Sequence, residues 1–156
     1  MPKRTKKELR EEEKSRSETR ELNFKLDNEQ IEAITNMNDS IMTLIIGKYG
    51  TGKSLTAVYF ALKKLLKGNI NKIYISRSAI CDKEEDLGFI PGDINDKMSP
   101  LVYPLIANMY RCLPSTYIDY LIKTKAIEII PVQHLKGITY QEKSIAILDE
   151  CQNLSI

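Results

Sequence analysis

The residues Gly47-Lys48-Tyr49-Gly50-Thr51-Gly52-Lys53-Ser54 match the pattern G-x-x-x-x-G-K-[ST] at every fixed position. The chemistry this spacing serves is the holding of a polyphosphate. Glycines let the backbone curl through positive φ, so that successive N–H groups converge on phosphate oxygens. A helix beginning directly after them adds the partial positive charge of its N-terminus at the same place. Lys53 is placed to reach the β- and γ-phosphates as a point charge, and the Ser54 hydroxyl to ligate Mg²⁺. The candidate nucleotide contact thus runs from Gly47 through Leu55. The alternative is a glycine-rich turn that merely precedes a helix; the flanking sequence argues against it.

A second pair of chemically capable residues lies far along the chain. The apolar run Ile145-Ala146-Ile147-Leu148 ends in Asp149-Glu150. A buried strand delivering two carboxylates at its C-terminal end is a Walker B pattern, and in parallel α/β sheets that end is where ligands bind. Asp149 is the candidate second metal ligand, and Glu150 the candidate general base that polarises an attacking water. Alone, two acids after an apolar run are a surface turn as readily as a site; after a complete phosphate loop they become a strong signal. The pair also favours attack by water over transfer to a small acceptor, since no arginine-rich lid of a small-molecule kinase is visible.

These residues need scaffolding, and the sequence supplies it. Ile41–Ile46 is an apolar run read as a buried strand leading into the loop. Leu55, Val58, Leu62 and Leu65 mark one face of a helix from about Lys53 to Lys67, and Gly68-Asn69 is a helix stop. Before the first run, Asp27 with Gln30 three residues on forms a capping box, with Ile31 and Ile34 on the helix face that follows. Residues 72–76 read as a second strand, 127–130 as a third and 144–148 as a fourth. The stretch from Arg77 to Pro100 reads as a long loop, Leu101 to Cys112 as a helix, and Ser115 as the cap of another helix running to about Lys123. Near-continuous apolar strands alternating with helices predict an α/β fold: a parallel sheet covered on both faces.

Composition sets the outer limits. The chain has 156 residues, 42% hydrophobic and 28% charged, which suits one ordinary globular domain. No apolar stretch approaches the roughly 18 residues of a membrane span. The charged N-terminus does not read as a secretory signal. Three widely spaced cysteines, Cys81, Cys112 and Cys151, form no C-x-x-C pair, which argues for a reducing, cytoplasmic setting and against disulfides or zinc. Formal net charge is +2, and residues 1–21 alone hold eight basic and six acidic side chains. Residues 1–24 therefore read as a charged, flexible tail ahead of a domain at 25–156. The rival reading of the tail, a nucleic-acid arm, is weakened by its interspersed glutamates.

The chain resembles the PhoH-like family of P-loop ATPases, whose core is similar to that of superfamily 1 helicases. The resemblance spans roughly residues 27–155. It rests on Gly47–Ser54, Ser76-Arg77-Ser78-Ala79, Leu87-Gly88-Phe89-Ile90-Pro91-Gly92, Lys97-Met98-Ser99-Pro100 with Tyr103-Pro104, Lys136-Gly137-Ile138-Thr139, and Asp149-Glu150-Cys151-Gln152-Asn153. It implies a RecA-like P-loop NTPase fold with three α/β/α layers around a parallel sheet. It also implies ATP with Mg²⁺ as ligand, hydrolysis to ADP and phosphate, ring assembly and a link to RNA. Gln152 matches a glutamine that resembles a γ-phosphate sensor, and Gln30 lies where related enzymes place an adenine-reading glutamine, although helix capping explains Gln30 equally well.

The chain departs from the family in three places. Arg77-Ser78 stands where Arg-Pro is usual, Lys136-Gly137-Ile138 where Arg-Gly-Arg is usual, and Cys151 where alanine is usual. Family members continue past the two acids with a sensor strand, more helices and an arginine that acts on a neighbour's nucleotide. The resemblance therefore predicts nucleotide binding ahead of independent turnover, with a separately encoded C-terminal part or a partner chain as the alternative route to activity. Other side chains read as structural. The lone His134 has no suggestive partner, Tyr103, Tyr110, Tyr117 and Tyr120 suit helix packing, and Glu84, Glu85 and Asp86 suit a solvated loop. Arg77 suits either a phosphate or nucleic-acid contact or an ion pair.

Overall fold

A computed structural model describes residues 22–78, 94–137, 139–140 and 143–154. The tail at 1–21, Cys81, the acids Glu84, Glu85 and Asp86, and the Leu87–Gly92 string lie outside the described residues. Helix α1 spans Asn28–Asn38, α2 Lys53–Leu66, α3 Ile94–Cys112 and α4 Ser115–Lys123. Strands β1 (Lys72–Arg77), β2 (Ile127–Ile129) and β3 (Ser144–Asp149) form a parallel sheet in the order β2-β1-β3. The chain is thus an α/β fold built on a parallel sheet, as the sequence predicts.

Local chemistry sets the helix ends. Asp27 accepts from the Gln30 backbone N–H at 2.8 Å, while the Gln30 side chain accepts from the Asp27 N–H at 3.1 Å, so the capping box at the start of α1 is complete. Helix α2 stops at Gly68, which takes φ 69°. The Gly68 N–H then donates to Leu65 and the Asn69 N–H to Lys64, the paired bonds that satisfy the last carbonyls of a helix.

The core lies between the sheet and helices α2 and α3. Ile73 and Ile75 point from β1 into a cluster with Val58, Leu62, Val102, Leu105 and Met109, all fully buried. Burying such side chains contributes about 1.5–3 kcal/mol each. Alternation along β1 turns Lys72, Tyr74 and Ser76 to the opposite face. There Lys72 pairs with Glu128 of β2 and lies 5.0 Å from the Tyr74 ring, whose edge meets Tyr140. A smaller cluster of Ile34, Met37 and Phe60 joins α1 to α2, with Ile45 and Ile145 packed against it.

The structure corrects four local expectations. Residues 41–46 are not a strand. They make no ladder with β3, and Met42 and Ile46 are 88% and 84% exposed. A strand is defined by its hydrogen-bonded neighbours, and among the described residues the sheet ends at β3. Helix α3 begins at Ile94 and passes through Pro100 and Pro104, where proline and loop composition had suggested a later start. Each proline forfeits one helical hydrogen bond, but Val102, Leu105, Ile106 and Met109 supply a buried stripe that holds the helix. The cap of α4 is Pro114 and not Ser115, with no side-chain cap bond. The third strand closes at Ile129, one residue early, and the fourth extends to Asp149.

Candidate nucleotide-binding site

The loop and the acids meet. Ser54, in the first turn of α2, donates its hydroxyl to Asp149 Oδ1 at 2.9 Å across 95 positions of sequence. Two packing decisions place them. Leu55, only 4% exposed, anchors the first turn of α2 in the core, and the parallel register of β3 on β1 brings Asp149 to the sheet's C-terminal end opposite Arg77.

The loop itself is closed by its own groups. Gly50 and Gly52 take φ 80° and 79°, conformations open to glycine and costly for residues with a Cβ. The Lys48 carbonyl accepts from Thr51 Oγ1 at 2.9 Å and from Lys53 Nζ at 2.8 Å. The Lys53 ammonium is therefore folded back over the loop. Thr56 donates to the Gly52 carbonyl through both its N–H, at 2.8 Å, and its hydroxyl, at 2.9 Å, which fixes the first helical turn. Gly47, Lys48, Tyr49, Gly50 and Thr51 are exposed. Of the predicted contact residues, Leu55 has its side chain committed to the core, which leaves its backbone N–H alone for a ligand.

Gln30 stands beside this loop. A Cβ built on Gly52 would meet Gln30 Nε2 at 2.6 Å, so a side chain there would push the Gln30 amide aside in addition to straining φ. The capping reading of Gln30 is thus realised in the structure. Its oxygen serves the α1 cap, and its amide nitrogen faces the phosphate loop.

The acids are held from several sides. Glu150 takes φ 55°, a left-handed conformation uncommon for a residue with a side chain, and opens a short 3₁₀ turn at Cys151–Asn153. Gln152 donates to Glu150 Oε2, and Arg77 Nη2 donates to Glu150 Oε1 at 3.3 Å. Arg77 Nε lies 3.8 Å from Asp149 Oδ2. Lys53, Ser54, Asp149, Glu150 and Gln152 thus fall at one end of the sheet, and Arg77 joins them. Sequence reasoning left the role of Arg77 open; the parallel register Arg77↔Asp149 is the signal that places it.

The oxygens of Ser54 and Asp149 are hard ligands 2.9 Å apart, a donor pair that fits Mg²⁺, which is held by one or two protein groups and otherwise by phosphate and water. Among the described residues no group of three or more His, Cys, Asp or Glu side chains forms a self-sufficient metal cage. His134 is exposed and outside the site. Tyr110 donates to Asp119 at 2.8 Å, and that bond, with burial, raises its pKa, consistent with a helix-packing role. Among the described residues, no helix is long and apolar enough to cross a membrane.

With this geometry in place, comparison with known proteins decides the family. The model of the family described as PhoH-like protein matches residues 25–156. The chain belongs to the PhoH-like family. A PhoH-like protein of Bacillus subtilis (strain 168) is 36% identical over 124 residues, covering 80% of this chain and 38% of that protein. A PhoH-like protein of Synechocystis sp. is 33% identical over 112 residues, covering 72% and 34%. Protein PhoH of Escherichia coli (strain K12) is 32% identical over 111 residues, covering 70% and 31%. The chain thus spans about a third of the length of these relatives. PhoH-like membership makes the α/β architecture that of a P-loop NTPase.

Proposed function

We propose that this PhoH-like chain binds ATP with Mg²⁺ in the loop Gly47–Leu55 and contributes to its hydrolysis. The observation that carries the reading is the Ser54–Asp149 hydrogen bond, which joins two motifs that make sense together only around a metal–polyphosphate. In this reading the loop N–H groups and Lys53 bind the β- and γ-phosphates. Ser54 and Asp149 hold the Mg²⁺, which neutralises phosphate charge when bound. Gln30 meets the adenine edge. Glu150 accepts a proton from the attacking water, and Gln152 orients Glu150 and senses the γ-phosphate. Both Lys53 and Glu150 must leave their present partners for this: Lys53 the Lys48 carbonyl, Glu150 the Arg77 guanidinium. A reducing, cytoplasmic setting, expected from three widely spaced cysteines, comes with this reading. Ring assembly and RNA as effector come with this proposal through the family resemblance.

A second reading has its own support. The exposed, unpaired run at 41–46 feeds directly into the loop, which suits a nucleotide-binding module that reaches full activity only with a partner chain. Calorimetry of ATP binding and phosphate release, on wild type, Lys53→Ala and Glu150→Gln, separates the cases. The ATPase reading expects Lys53→Ala to weaken binding by about 10- to 100-fold, the loss of a charge-assisted contact. It expects Glu150→Gln to bind ATP normally and release no phosphate. Tight binding without phosphate release by wild type selects the module. Equal binding by wild type and Lys53→Ala defeats both.

A further inference from the structure

Arg77 is held in an unusual way for an arginine between two carboxylates. The common arrangement is a bidentate fork with both N–H···O contacts at about 2.7–2.9 Å. Here the guanidinium is shared between two acids at longer range, 3.3 Å to Glu150 Oε1 and 3.8 Å to Asp149 Oδ2. Of its five N–H donors, one makes a hydrogen bond to a described residue. The side chain is also 24% exposed, so it is neither sunk in the core nor loose in solvent. Such a group has donor capacity to spare, at the end of the sheet where Asp149 meets the phosphate loop.

Position says which anion the spare donors suit. Arg77 ends β1 in register with Asp149, and Asp149 bonds Ser54 at the start of α2. One carboxylate therefore separates the guanidinium from the helix N-terminus that draws phosphate. A metal–polyphosphate seated on Ser54 and Asp149 competes with Arg77 for Asp149; with Glu150 turned to the attacking water as proposed above, the guanidinium then has the outermost phosphate as its nearest anion. Lys53 belongs to the loop, where its ammonium rests on the Lys48 carbonyl.

We propose that Arg77 is a specificity-determining residue whose guanidinium exchanges the Asp149 carboxylate for the terminal phosphate, and so distinguishes a nucleoside triphosphate from a diphosphate. The inference rests on the nucleotide reading above. A purely structural ion pair would act equally on both nucleotides, because both occupy the loop. A phosphate reader acts on the triphosphate alone.

The test is calorimetric binding of β,γ-imido ATP and of ADP, each with Mg²⁺, to the chain 1–156 and to Arg77→Gln and Arg77→Lys, with thermal melting of each variant alongside. Wild type is expected to prefer the triphosphate by about 10-fold or more, the scale of one charge-assisted contact. Arg77→Gln is expected to bring the two affinities within about 2-fold while ADP affinity stays within about 2-fold of wild type. Arg77→Lys keeps the charge but loses the planar fork, so it is expected to lose most of the preference while remaining folded, and it decides the matter if the glutamine variant does not fold. The proposal is overturned if either folded variant keeps the wild-type preference, or if both nucleotides weaken in equal proportion. A wild type that binds both nucleotides alike sinks this inference only. A wild type that binds neither sinks the nucleotide reading together with it.

Discussion

Two apolar runs flank the phosphate loop and its helix, and they end in opposite states. Ile73 and Ile75 of β1 are fully buried and bonded on both sides, to β2 and β3. Residues 41–46, richer still in isoleucine and leucine, are largely exposed and outside the sheet. Composition does not separate them; neighbours do. Strand β1 has a ladder partner on each edge and two helices over its isoleucines, whereas 41–46, among the described residues, reaches the core through Ile45 alone, against the Phe60 cluster. β-propensity is largely a statement about packing on a pleated surface, and the surface must exist before the propensity counts.

The sharpest way to break this comparison is to truncate one side chain from each region and measure stability by denaturant unfolding. Leu62→Ala, at a fully buried site facing β1, is expected to cost about 2–5 kcal/mol. Ile46→Ser is expected to change stability by no more than about 0.5 kcal/mol, as exposed substitutions do. Equal losses would show that 41–46 is packed after all.

Next in size is an alkaline effect confined to the core side. Burial pushes the Cys112 thiol up to about 11 from 9.0. A raised folded pKa means the unfolded chain gives up its proton first. The contribution is therefore complete below pH 9 and is lost as pH rises towards about 11. At about 1.4 kcal/mol per unit, the loss is about 2–3 kcal/mol. Unfolding curves across this range should show it in wild type and lack it in Cys112→Ala. Alkylation at neutral pH should label the half-buried Cys151 well before the buried Cys112.

Smaller again is the contrast between two glycines of the loop. Gly52→Ala meets both an unfavourable φ and Gln30 Nε2 at 2.6 Å, and is expected to cost about 1–3 kcal/mol and to weaken nucleotide binding. Gly50→Ala shares the φ but has open space around it, so its cost should fall near the lower end, about 1 kcal/mol. A melting curve for each variant checks the order. Hydrogen exchange sharpens the picture without any substitution. Amides at 41–46 should exchange with almost no protection, and those of β1 should approach the protection of global unfolding.

Much of this was legible in the sequence because local rules decide it. The Asp27–Gln30 capping box, the Gly68-Asn69 stop and the positive-φ glycines follow from short-range chemistry that few tertiary contacts can overrule. The pairing of Ser54 with Asp149 was legible for a different reason: each motif presupposes the other. What escaped were features set by neighbours. The state of 41–46 depends on which strand lies beside it. The start of α3 depends on a buried stripe strong enough to carry two prolines. The place of Arg77 depends on the register of β1 against β3, which no local pattern encodes.

Calorimetric binding of ATP with Mg²⁺ to wild type, Ser54→Ala, Asp149→Asn and the double variant tests the convergence of loop and acids most directly. If both side chains hold one metal–triphosphate, the two losses fall short of adding, with a coupling energy of about 1 kcal/mol or more. Losses that add within about 0.3–0.5 kcal/mol would mean that the two side chains act independently, and would contradict the account.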